Sequence, residues 1–533
     1  MTINTLKNDT LAGITAAVVA LPLALAFGVA SGAGAIAGLY GAIILGFFAS
    51  LFGGTKTQIS GPTGPMTVVT ATAIVSFGND FQSVFAVIFL SGLIQISFGI
   101  IKIGKWIKYI PYPVISGFMT GIGIIIIVLQ INPFIGVDAF GSVIQTLIEL
   151  PNSIKQTSSN SLIIASITLF IMLFTPKMIS RYIPSALIAL VLVTYFSIFM
   201  NYNIPTIGEI PMGLPEIVFP IYFDILHLST IITLAITLAL LGSIDSLLTS
   251  LVADSMTKTK HNPNKELIGQ GIGNTICSFF GAIPGAGATM RTVINIKSGG
   301  TTQFSGIVHS LTLLLIVLIL APYASNIPLA VLSGILIKVG LDILDYKFLR
   351  LLTKVSRQDL LIMITVTLLT VFVDLIMAVG VGITFASIIA VYKVSKNTKI
   401  QTIYPKTNNG FDIDMEDKSI KIIKIKGSLF FGTASILDKR TDKVKERTKI
   451  IILDCLDIHV LDLSAIFTLE EVVKKLSEKN IKTILLLKVR DKKKVLKIDQ
   501  NNTFKNIEIF SKIDNAVNTI QENRHKTSIN RRI

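Results

Sequence analysis

The sequence predicts an α-helical polytopic membrane protein with a small α/β domain at its C-terminal end. Of the 533 residues, 51% are hydrophobic and 15% are charged, whereas soluble domains carry about 25% charged residues. The charge is also unevenly placed. Residues 1–395 form apolar blocks of about 17–25 residues, the length of a membrane-spanning helix, and residues 396–533 are rich in Lys, Asp and Glu.

The apolar part divides into about fourteen candidate spans. No cleavable signal peptide is expected, because only Lys7 precedes the first block and no small-residue cleavage site follows it. The first block is therefore predicted to be a span. The segments are 11–29, 34–52, 62–76, 82–100, 114–130, 160–176, 184–200, 229–250, 266–281, 288–297, 304–320, 328–341, 359–374 and 377–394.

Basic residues fall in alternate loops between these segments. The basic set is Lys56, Lys102, Lys105, Lys108, Lys177, Arg181, Lys258, Lys260, Lys265, Lys297, Lys347, Arg350, Lys354 and Arg357. The intervening loops hold Lys155 and the acids Asp80, Asp138, Glu209, Glu216 and Asp224. The positive-inside rule places the basic loops in the cytoplasm. Both termini are then cytoplasmic, as an even number of spans requires.

Glycine and proline interrupt two apolar stretches in the same way, at Ile59–Val69 and at Ile283–Val293. Lipid cannot satisfy the backbone groups that such breaks free, so the breaks must be buried in protein or line a wet cavity. A matching pair in two halves of a chain indicates the substrate site of a secondary transporter. Counting seven spans per half makes the repeat inverted, and two helix starts then face each other. Their N–H groups and partial positive charge predict an anion site.

The C-terminal region shows strands alternating with helices. Strands are predicted at Ser419–Lys426, Lys449–Asp454, Lys482–Leu487 and a short Phe504–Ile509, with an amphipathic helix at Ser464–Lys479. The predicted division is a transport domain at 1–395, a linker at 396–418, an α/β domain at 419–525 and a basic tail at 526–533. Cys277 and Cys455 lie in different domains, so no disulfide is expected.

Asp245 lies inside the apolar run Ile231–Val252, where an ionised carboxylate is costly and indicates a functional site. Thr249 follows four residues later on the same helical face. A hard cation such as sodium needs several oxygen ligands, and a carboxylate, a hydroxyl and freed carbonyls supply them. The alternative is that Asp245 caps a helix or bonds to neighbouring helices.

Arg291 directly follows the second break. Its guanidinium suits bidentate contact with an oxyanion, and the alternative is a structural pairing with an acid from another helix. Asp254, Lys338 and Asp374 fall near predicted span ends, where snorkelling or solvation explains them. The five histidines are scattered without metal-ligand spacing.

Three motifs carry a family resemblance. Leu21–Phe27, Ser60–Pro65 and Asn295–Gly300, with their flanking sequence, resemble the SulP family of inorganic anion transporters along nearly the whole chain. Within that family, Gly38–Gly41, Ile244–Thr249 and Lys265–Gly271 look most like the BicA-type sodium/bicarbonate symporters. Ile450–Ala465 resembles the signature of the STAS domain.

The resemblance implies fourteen spans in core and gate bundles, an elevator-like motion, a homodimer and a cytoplasmic STAS domain. It implies a sodium site at Asp245 and Thr249, completed by Gly287 and Thr289. It places the anion at the helix starts, near Thr63, Gly64, Ala288 and Thr289, with Arg291 adding positive field. Ser464 matches a position that is phosphorylated in relatives of the STAS fold; alternatively, Ser464 or Asp462 caps the following helix.

The leading functional hypothesis is a sodium-coupled bicarbonate symporter in the cell membrane. The alternative is a sulfate or dicarboxylate carrier of the same family, either proton-coupled through Asp245 or exchanging. A channel and a membrane-bound STAS regulator are the hypotheses of a different class. No enzyme constellation and no nucleic-acid partner are expected, since loop lysines explain the positive charge. Gly99–Lys105 is similar to a phosphate loop, but Trp106 follows it and the segment closes a span.

Overall fold

The structure, a computed structural model, describes residues 3–78, 80–105, 110–140, 142–180, 183–208, 217–219, 227–351, 354–373, 375–403, 419–442, 444, 448–499 and 501–529. Several predicted features lie outside these residues: Trp106, Lys108, Arg181, Glu209, Glu216, Asp224, Asp374, most of the predicted linker and the last residues of the basic tail. The chain divides into two compact units, Met1–Thr384 and Phe385–Ile533.

The first unit is helical. Its N-terminal half contains α1 Ile3–Ser31, α2 Ala35–Phe52, α3 Gly64–Ser76, α4 Phe81–Ile100, α5 Tyr112–Leu129, α6 Ile131–Ile135, α7 Val143–Lys155, α8 Ser159–Phe174, α9 Lys177–Ser180 and α10 Ser185–Phe199, with a 3₁₀ turn at Ile103–Lys105. The C-terminal half contains α11 Leu228–Thr257, α12 Pro263–Phe279, α13 Thr289–Lys297, α14 Phe304–Ala324, α15 Leu329–Ile343, α16 Tyr346–Leu349, α17 Arg357–Phe372 and α18 Leu375–Asn397, which runs past the division between the units. Two short strands, β1 Ser60–Gly61 and β2 Ala286–Gly287, interrupt the helices.

Side-chain caps mark where several of these helices begin. Asp80 accepts a hydrogen bond from the N–H of Gln82 at the start of α4. Ser158 does the same for α8, and Asn262 for α12. Short polar side chains at these positions satisfy N–H groups that have no partner inside the helix. The apolar segments therefore begin as helices at positions that the local sequence determines.

Each of the fourteen predicted segments overlaps a helix, but the number of spans stays a prediction. Among the described residues, six helices are long and apolar enough to cross a membrane alone, and seven if the bent pair α7 and α8 counts as one span. Helix α7 was not predicted. It has 13 residues and contains Pro151, and it meets α8 at 119°. Helix α7 is too short for a span, and polar residues interrupt its apolar ones, so it does not form a long apolar block.

The helices of the first unit pack as two bundles. Helices α1 to α4 pack against α11, α12, α13 and α14, with α12 lying between α2 and α4. In the second bundle α5, α8 and α10 pack against α15, and α17 packs against α5. Helix α1 also contacts α10 and α15, and α3 contacts α5. Each bundle thus combines helices from both halves of the unit, as an internal repeat predicts.

In the second unit, the described residues form one mixed sheet and four helices after α18. The strands are β3 Lys399–Ile403, β4 Ile420–Leu429, β5 Ile450–Asp454, β6 Ile458–Leu461, β7 Lys482–Leu486 and β8 Glu508–Phe510. The helices are α19 Phe431–Asp442, α20 Leu463–Glu478, α21 Val489–Ile498 and α22 Ile513–Ile529. The strand order is β3-β4-β5-β7-β8, and β6 pairs with β4. Only β3 is antiparallel to its neighbour.

Apolar side chains cover both faces of this sheet. Ile451 and Leu453 point into a core shared with α20, whereas Ile452 points into a second core with α22. A strand buried on both faces reads as a continuous apolar run, which is why β5 was predicted. Two strands were missed: β3 occupies the start of the predicted linker, and β6 has only four residues. The predicted short strand at 504–509 lies instead at 508–510.

Candidate functional site

The two broken stretches meet as a short antiparallel pair of strands. Ser60 pairs with Gly287 and Gly61 with Ala286. Beyond the strands, the N–H of Ala288 donates to the carbonyl of Ile59 at 2.8 Å. Each break therefore satisfies backbone groups of the other, which is the requirement that lipid cannot meet. The sequence predicted that the breaks face each other, but not that they form a sheet.

Polar side chains of neighbouring helices complete this arrangement. The Asn274 amide of α12 bonds to both the N–H and the carbonyl of Gly285, at 2.9 and 3.0 Å. The Ser246 hydroxyl of α11 accepts from the N–H of Gly287 at 3.0 Å. The Thr292 hydroxyl of α13 accepts from the N–H of Ile59 at 3.0 Å. The breaks are thus held to three helices by buried hydrogen bonds.

Two helices begin beside the paired strands, and their first residues line one cavity. Helix α3 follows Thr63 and α13 follows Ala288, and neither of these residues caps its helix with a side chain. The first N–H groups of a helix lack intrahelical partners and carry a partial positive charge. The cavity has a volume of about 1140 Å³, and Thr63, Gly64, Ala288 and Thr289 line it. All four predicted residues at the helix starts therefore line the same cavity.

The predicted cation ligands also come together. The Thr249 hydroxyl donates to the carbonyl of Gly287 at 2.9 Å and lies 2.7 Å from the Thr289 hydroxyl. Asp245, one helical turn earlier on α11, lines the same cavity. Asp245 lies in the interior of α11 and does not cap that helix, and the alternative that it caps or bonds to a neighbouring helix stays open. The Thr63 hydroxyl lies near the Asp245 carboxylate and is buried without a well-formed hydrogen bond.

This group of atoms suits a hard cation, since it consists of hydroxyl, carbonyl and carboxylate oxygens. Within the described part of the chain, no set of three or more His, Cys, Asp or Glu side chains could hold a metal ion. The predicted ligands for sodium are oxygens from α11 and from the second break. Two of them, the Gly287 carbonyl and the Thr289 hydroxyl, already lie within hydrogen-bond distance of the third, the Thr249 hydroxyl.

Arg291 lines the same cavity, and its bidentate contact with an anion stays a prediction. Its side chain is 1% exposed, and its Nη2 donates to the carbonyl of Pro62 at 3.3 Å. A Cβ on Gly61 would come within 2.3 Å of Nη1, so the guanidinium packs closely against the first break. The alternative of an acid partner is not found, because no described carboxylate lies within ion-pair distance of it. Arg291 therefore places its positive charge beside the helix starts, and its hydrogen bond supports the backbone of the first break.

Glu266, a buried carboxylate that was not among the predicted site residues, supports the backbone that leads into the first break. Glu266 of α12 accepts hydrogen bonds from the N–H groups of Gly54 and Thr55, both at 2.8 Å. It also accepts from the side-chain amides of Gln58 at 2.8 Å and Gln270 at 2.9 Å. Gln270 continues to the Ser60 hydroxyl at 2.6 Å. The signal was present, since Glu266 stands in one of the family-like motifs, but its partners come from distant parts of the chain.

Two other charged or titratable groups take unexpected places. Lys338 was expected to snorkel at a span end, yet its side chain and Asp342 line the cavity. His309 of α14 is buried, and among the described residues neither ring nitrogen has a hydrogen-bond partner. The helical periodicity of an apolar segment does not show which of its polar residues face a cavity, so the sequence did not distinguish these roles.

In the second unit, Asp462 caps helix α20, which confirms one of the predicted alternatives. Its carboxylate accepts from the N–H of Ala465 at 2.8 Å at the start of α20 and from the N–H of Phe431 at 3.2 Å. Ser464 lies exposed in the first turn of that helix. The site is open to modification, and its phosphorylation stays a prediction.

Comparison with known proteins places this geometry in a family. Residues 6–366 match the model of the Sulfate permease family, and residues 414–516 match the STAS domain. The chain is 44% identical to the bicarbonate transporter BicA of Synechocystis sp. over 89% of this chain and 87% of the relative. It is 35% identical to the putative sulfate transporter YvdB of Bacillus subtilis over 90% and 91% of the two chains.

Solved structures show the same similarity. The transmembrane domain of a cyanobacterial bicarbonate transporter BicA is 49% identical and aligns with a TM-score of 0.67, covering 71% of this chain and 99% of that one. The murine Solute Carrier 26 family member A9 in the inward-facing state is 21% identical, with a TM-score of 0.84 over 98% and 92% of the chains. The second match concerns the fold alone.

Proposed function

The chain belongs to the Sulfate permease family and carries a STAS domain, and from this premise we propose that it is a secondary active transporter that carries bicarbonate together with sodium. Anion transport follows from the family. The bicarbonate assignment is supported by the similarity to the bicarbonate transporters.

One observation carries the proposal: the helix starts of α3 and α13 and the Asp245 carboxylate line the same cavity. The helix starts offer N–H groups and partial positive charge to an anion. The carboxylate alone would repel that anion. A cation bound between Asp245 and the second break would neutralise the carboxylate, so anion and cation would bind better together than either alone. Such mutual stabilisation is a coupling free energy between two sites.

In this proposal the anion contacts Thr63, Gly64, Ala288 and Thr289, and Arg291 adds positive field from behind the first break. Sodium is held by Asp245, Thr249, the carbonyl of Gly287 and Thr289. The ion is cargo, and its oxygen ligands come partly from the broken helix, whose carbonyls are free for coordination. The binding of sodium would replace the hydrogen bond from the Thr249 hydroxyl to the Gly287 carbonyl by two coordination bonds.

We further propose that both termini face the cytoplasm of the cell membrane, with fourteen spans in a 7+7 inverted repeat. The positive-inside pattern of the loops supports this orientation. The two observed bundles would correspond to a core that moves against a gate, and the transporter would be a homodimer surrounded by lipid. The proposed domain division is that of the sequence: 1–395, a linker at 396–418, a STAS domain at 419–525 and a tail at 526–533.

The second candidate is a sulfate or dicarboxylate carrier, either proton-coupled through Asp245 or exchanging anions. It is favoured by the similarity to a putative sulfate transporter and by the presence of Arg291, whose charge suits a divalent oxyanion. In that case Asp245 would exchange a proton instead of binding sodium. A channel differs from both candidates in a flux that does not saturate with anion concentration.

Purified protein in proteoliposomes tests the proposal. We expect saturable uptake of labelled bicarbonate driven by an inward sodium gradient, and no sodium-driven uptake by Asp245→Asn. Asp254→Asn is the matched control: Asp254 lies on the same helix but pairs with His261 at 2.7 Å, so its sodium response should stay normal. Sulfate uptake driven by a pH gradient without sodium would establish the second candidate instead. Sodium-stimulated bicarbonate flux that Asp245→Asn leaves unchanged would contradict the assigned cation site.

A further inference from the structure

We propose that Lys338 forms an entry site for the oxyanion in the cavity wall and that Asp342 keeps this site weak by competing for the same ammonium group. The inference rests on the proposed anion transport. It does not depend on which oxyanion is carried. Lys338 and Asp342 belong to α15 of the second bundle, whereas the helix starts belong to α3 and α13 of the first bundle.

The Lys338 ammonium already binds a carboxylate, that of Asp342. The Lys338 ammonium lies 2.5 Å from Oδ1 and 2.6 Å from Oδ2 of Asp342. Both residues line the cavity that also contains Asp245, Thr63 and Ala288. A carboxylate presents two oxygens in a plane, and bicarbonate presents the same arrangement. The ammonium that now binds Asp342 can therefore bind an oxyanion arriving in the cavity.

The pair contributes little as a structural element. Lysine precedes aspartate by four residues, which is the less favourable order for an ion pair on a helix. The side chains are 20% and 44% exposed, and exposed pairs of this kind stabilise proteins only weakly. An ion pair that is easily broken and faces a cavity is suited to exchange its carboxylate for a free anion.

The charges around the cavity show why this lysine matters. The charged residues among the described lining are Asp245, Arg291, Lys297, Lys338 and Asp342. Arg291 is buried and its Nη2 is bonded to the Pro62 carbonyl, whereas Lys297 is exposed and Lys338 half-buried, so an anion that enters from solvent meets these two ammonium groups first. In a cleft with low-dielectric walls, such charges raise the local anion concentration. Asp342 offsets half of this charge and prevents an arriving anion from being trapped.

The test uses full-length protein in membrane vesicles of both orientations, with sodium at saturation. Lys338→Gln should raise the KM for bicarbonate about fivefold, with little change in kcat, because an entry contact is lost. Asp342→Asn should lower the KM about twofold to threefold and reduce kcat, because Lys338 then holds the anion longer. Both shifts should be larger in the orientation that presents this cavity to the labelled anion. Lys354→Gln, which does not line the cavity, is the control and should leave KM unchanged.

The double variant separates the proposal from a purely structural role. If Asp342 acts through Lys338, Lys338→Gln with Asp342→Asn should show the KM of Lys338→Gln alone. The half-saturation concentration for sodium should not move in any of the three. Equal KM values, or shifts of the same sign in both single variants, would overturn the inference while the wild type still transports. Absence of anion transport by the wild type would instead refute the proposed function, and the inference with it. If the wild type carries sulfate, the same measurements are made with sulfate.

Discussion

The Thr249 hydroxyl lies 2.7 Å from the Thr289 hydroxyl, which joins the middle of α11 to the first turn of α13. Thr249→Val keeps the shape of the side chain and removes this oxygen. We expect the half-saturation concentration for sodium to rise about tenfold, equivalent to about 1.4 kcal/mol of binding free energy. The KM for bicarbonate at saturating sodium should change much less. Sodium titrations of initial uptake rates measure both quantities.

Two matched variants accompany this measurement. Thr249→Ser retains the oxygen and should keep a sodium response close to that of the wild type. Thr233→Val removes a hydroxyl from the same helix that bonds only to the carbonyl of Ser229 and should have no effect. A sodium response of Thr249→Val that matches the wild type would remove Thr249 from the cation site.

Gly285 lies where the two breaks come closest. A Cβ at this position would meet the carbonyl oxygen of Gly61 at 2.1 Å and the nitrogen of Pro62 at 2.7 Å. These atoms are backbone, so they cannot move aside without separating β1 from β2. We expect Gly285→Ala to abolish anion uptake in protein that still reaches the membrane and elutes as a single species in size-exclusion chromatography.

Gly380→Ala provides the comparison for that glycine. A Cβ on Gly380 meets nothing within 4 Å, and alanine favours the helix by up to about 1 kcal/mol. Transport by this variant should equal that of the wild type. Normal uptake by Gly285→Ala would show that the breaks tolerate separation, contrary to the role given to their pairing.

Glu266 accepts four hydrogen bonds while buried. In Glu266→Gln an NH₂ group replaces one acceptor and faces a donor, which leaves buried polar groups unsatisfied. The expected cost is about 1–3 kcal/mol of folding free energy. Thermal unfolding of detergent-solubilised protein should show a lower Tm, and Glu149→Gln on α7, where the half-buried carboxylate accepts one hydrogen bond from Asn152, should change it much less. An unchanged Tm for Glu266→Gln would indicate that water replaces the lost bonds.

Cys455 should be unreactive in the folded protein. Burial raises the pKa of its thiol, and the carboxylates of Asp454 and Asp491 raise it further. The stability that this shift contributes is fully present below the unfolded pKa of about 8.5 and is lost as pH rises toward the folded pKa. In a Cys277→Ala background, N-ethylmaleimide at pH 8 should label Cys455 only after urea is added. The exposed site in Ser464→Cys should react without urea, and equal rates at the two sites would contradict the burial of Cys455.

The helices and strands could be predicted to different extents. Long apolar blocks such as α1, α4 and α11 were predicted because a span has a characteristic length and composition. Helix α7 was missed because it is short and amphipathic. Strand β3 was missed because it lies at the edge of the sheet with mostly exposed side chains, so it lacks the continuous apolar run that revealed β5.

The candidate site shows the same division. Asp245 and Thr249 were predicted because a carboxylate in an apolar run is costly and their spacing places them on one helical face. The Glu266 network could not be found in this way, because its donors Gly54, Thr55 and Gln58 lie more than two hundred residues before it. Lys338 was assigned to a span end because the cavity beside α15 is formed by other helices.

By itself, the sequence determined the membrane class, the paired breaks, the family resemblance and the residues Asp245, Thr249 and Thr289. The membrane class, the breaks, and Asp245 with Thr249 follow from hydropathy, helical periodicity and the behaviour of glycine and proline, all of which act over short stretches of chain. Thr289 was named because the family resemblance implies it. Only the tertiary structure decided that β1 and β2 pair, that Arg291 bonds to the Pro62 carbonyl and that Lys338 lines the same cavity. Those outcomes depend on which distant backbone and side-chain groups meet when buried polar groups must find partners, and local sequence does not contain that information.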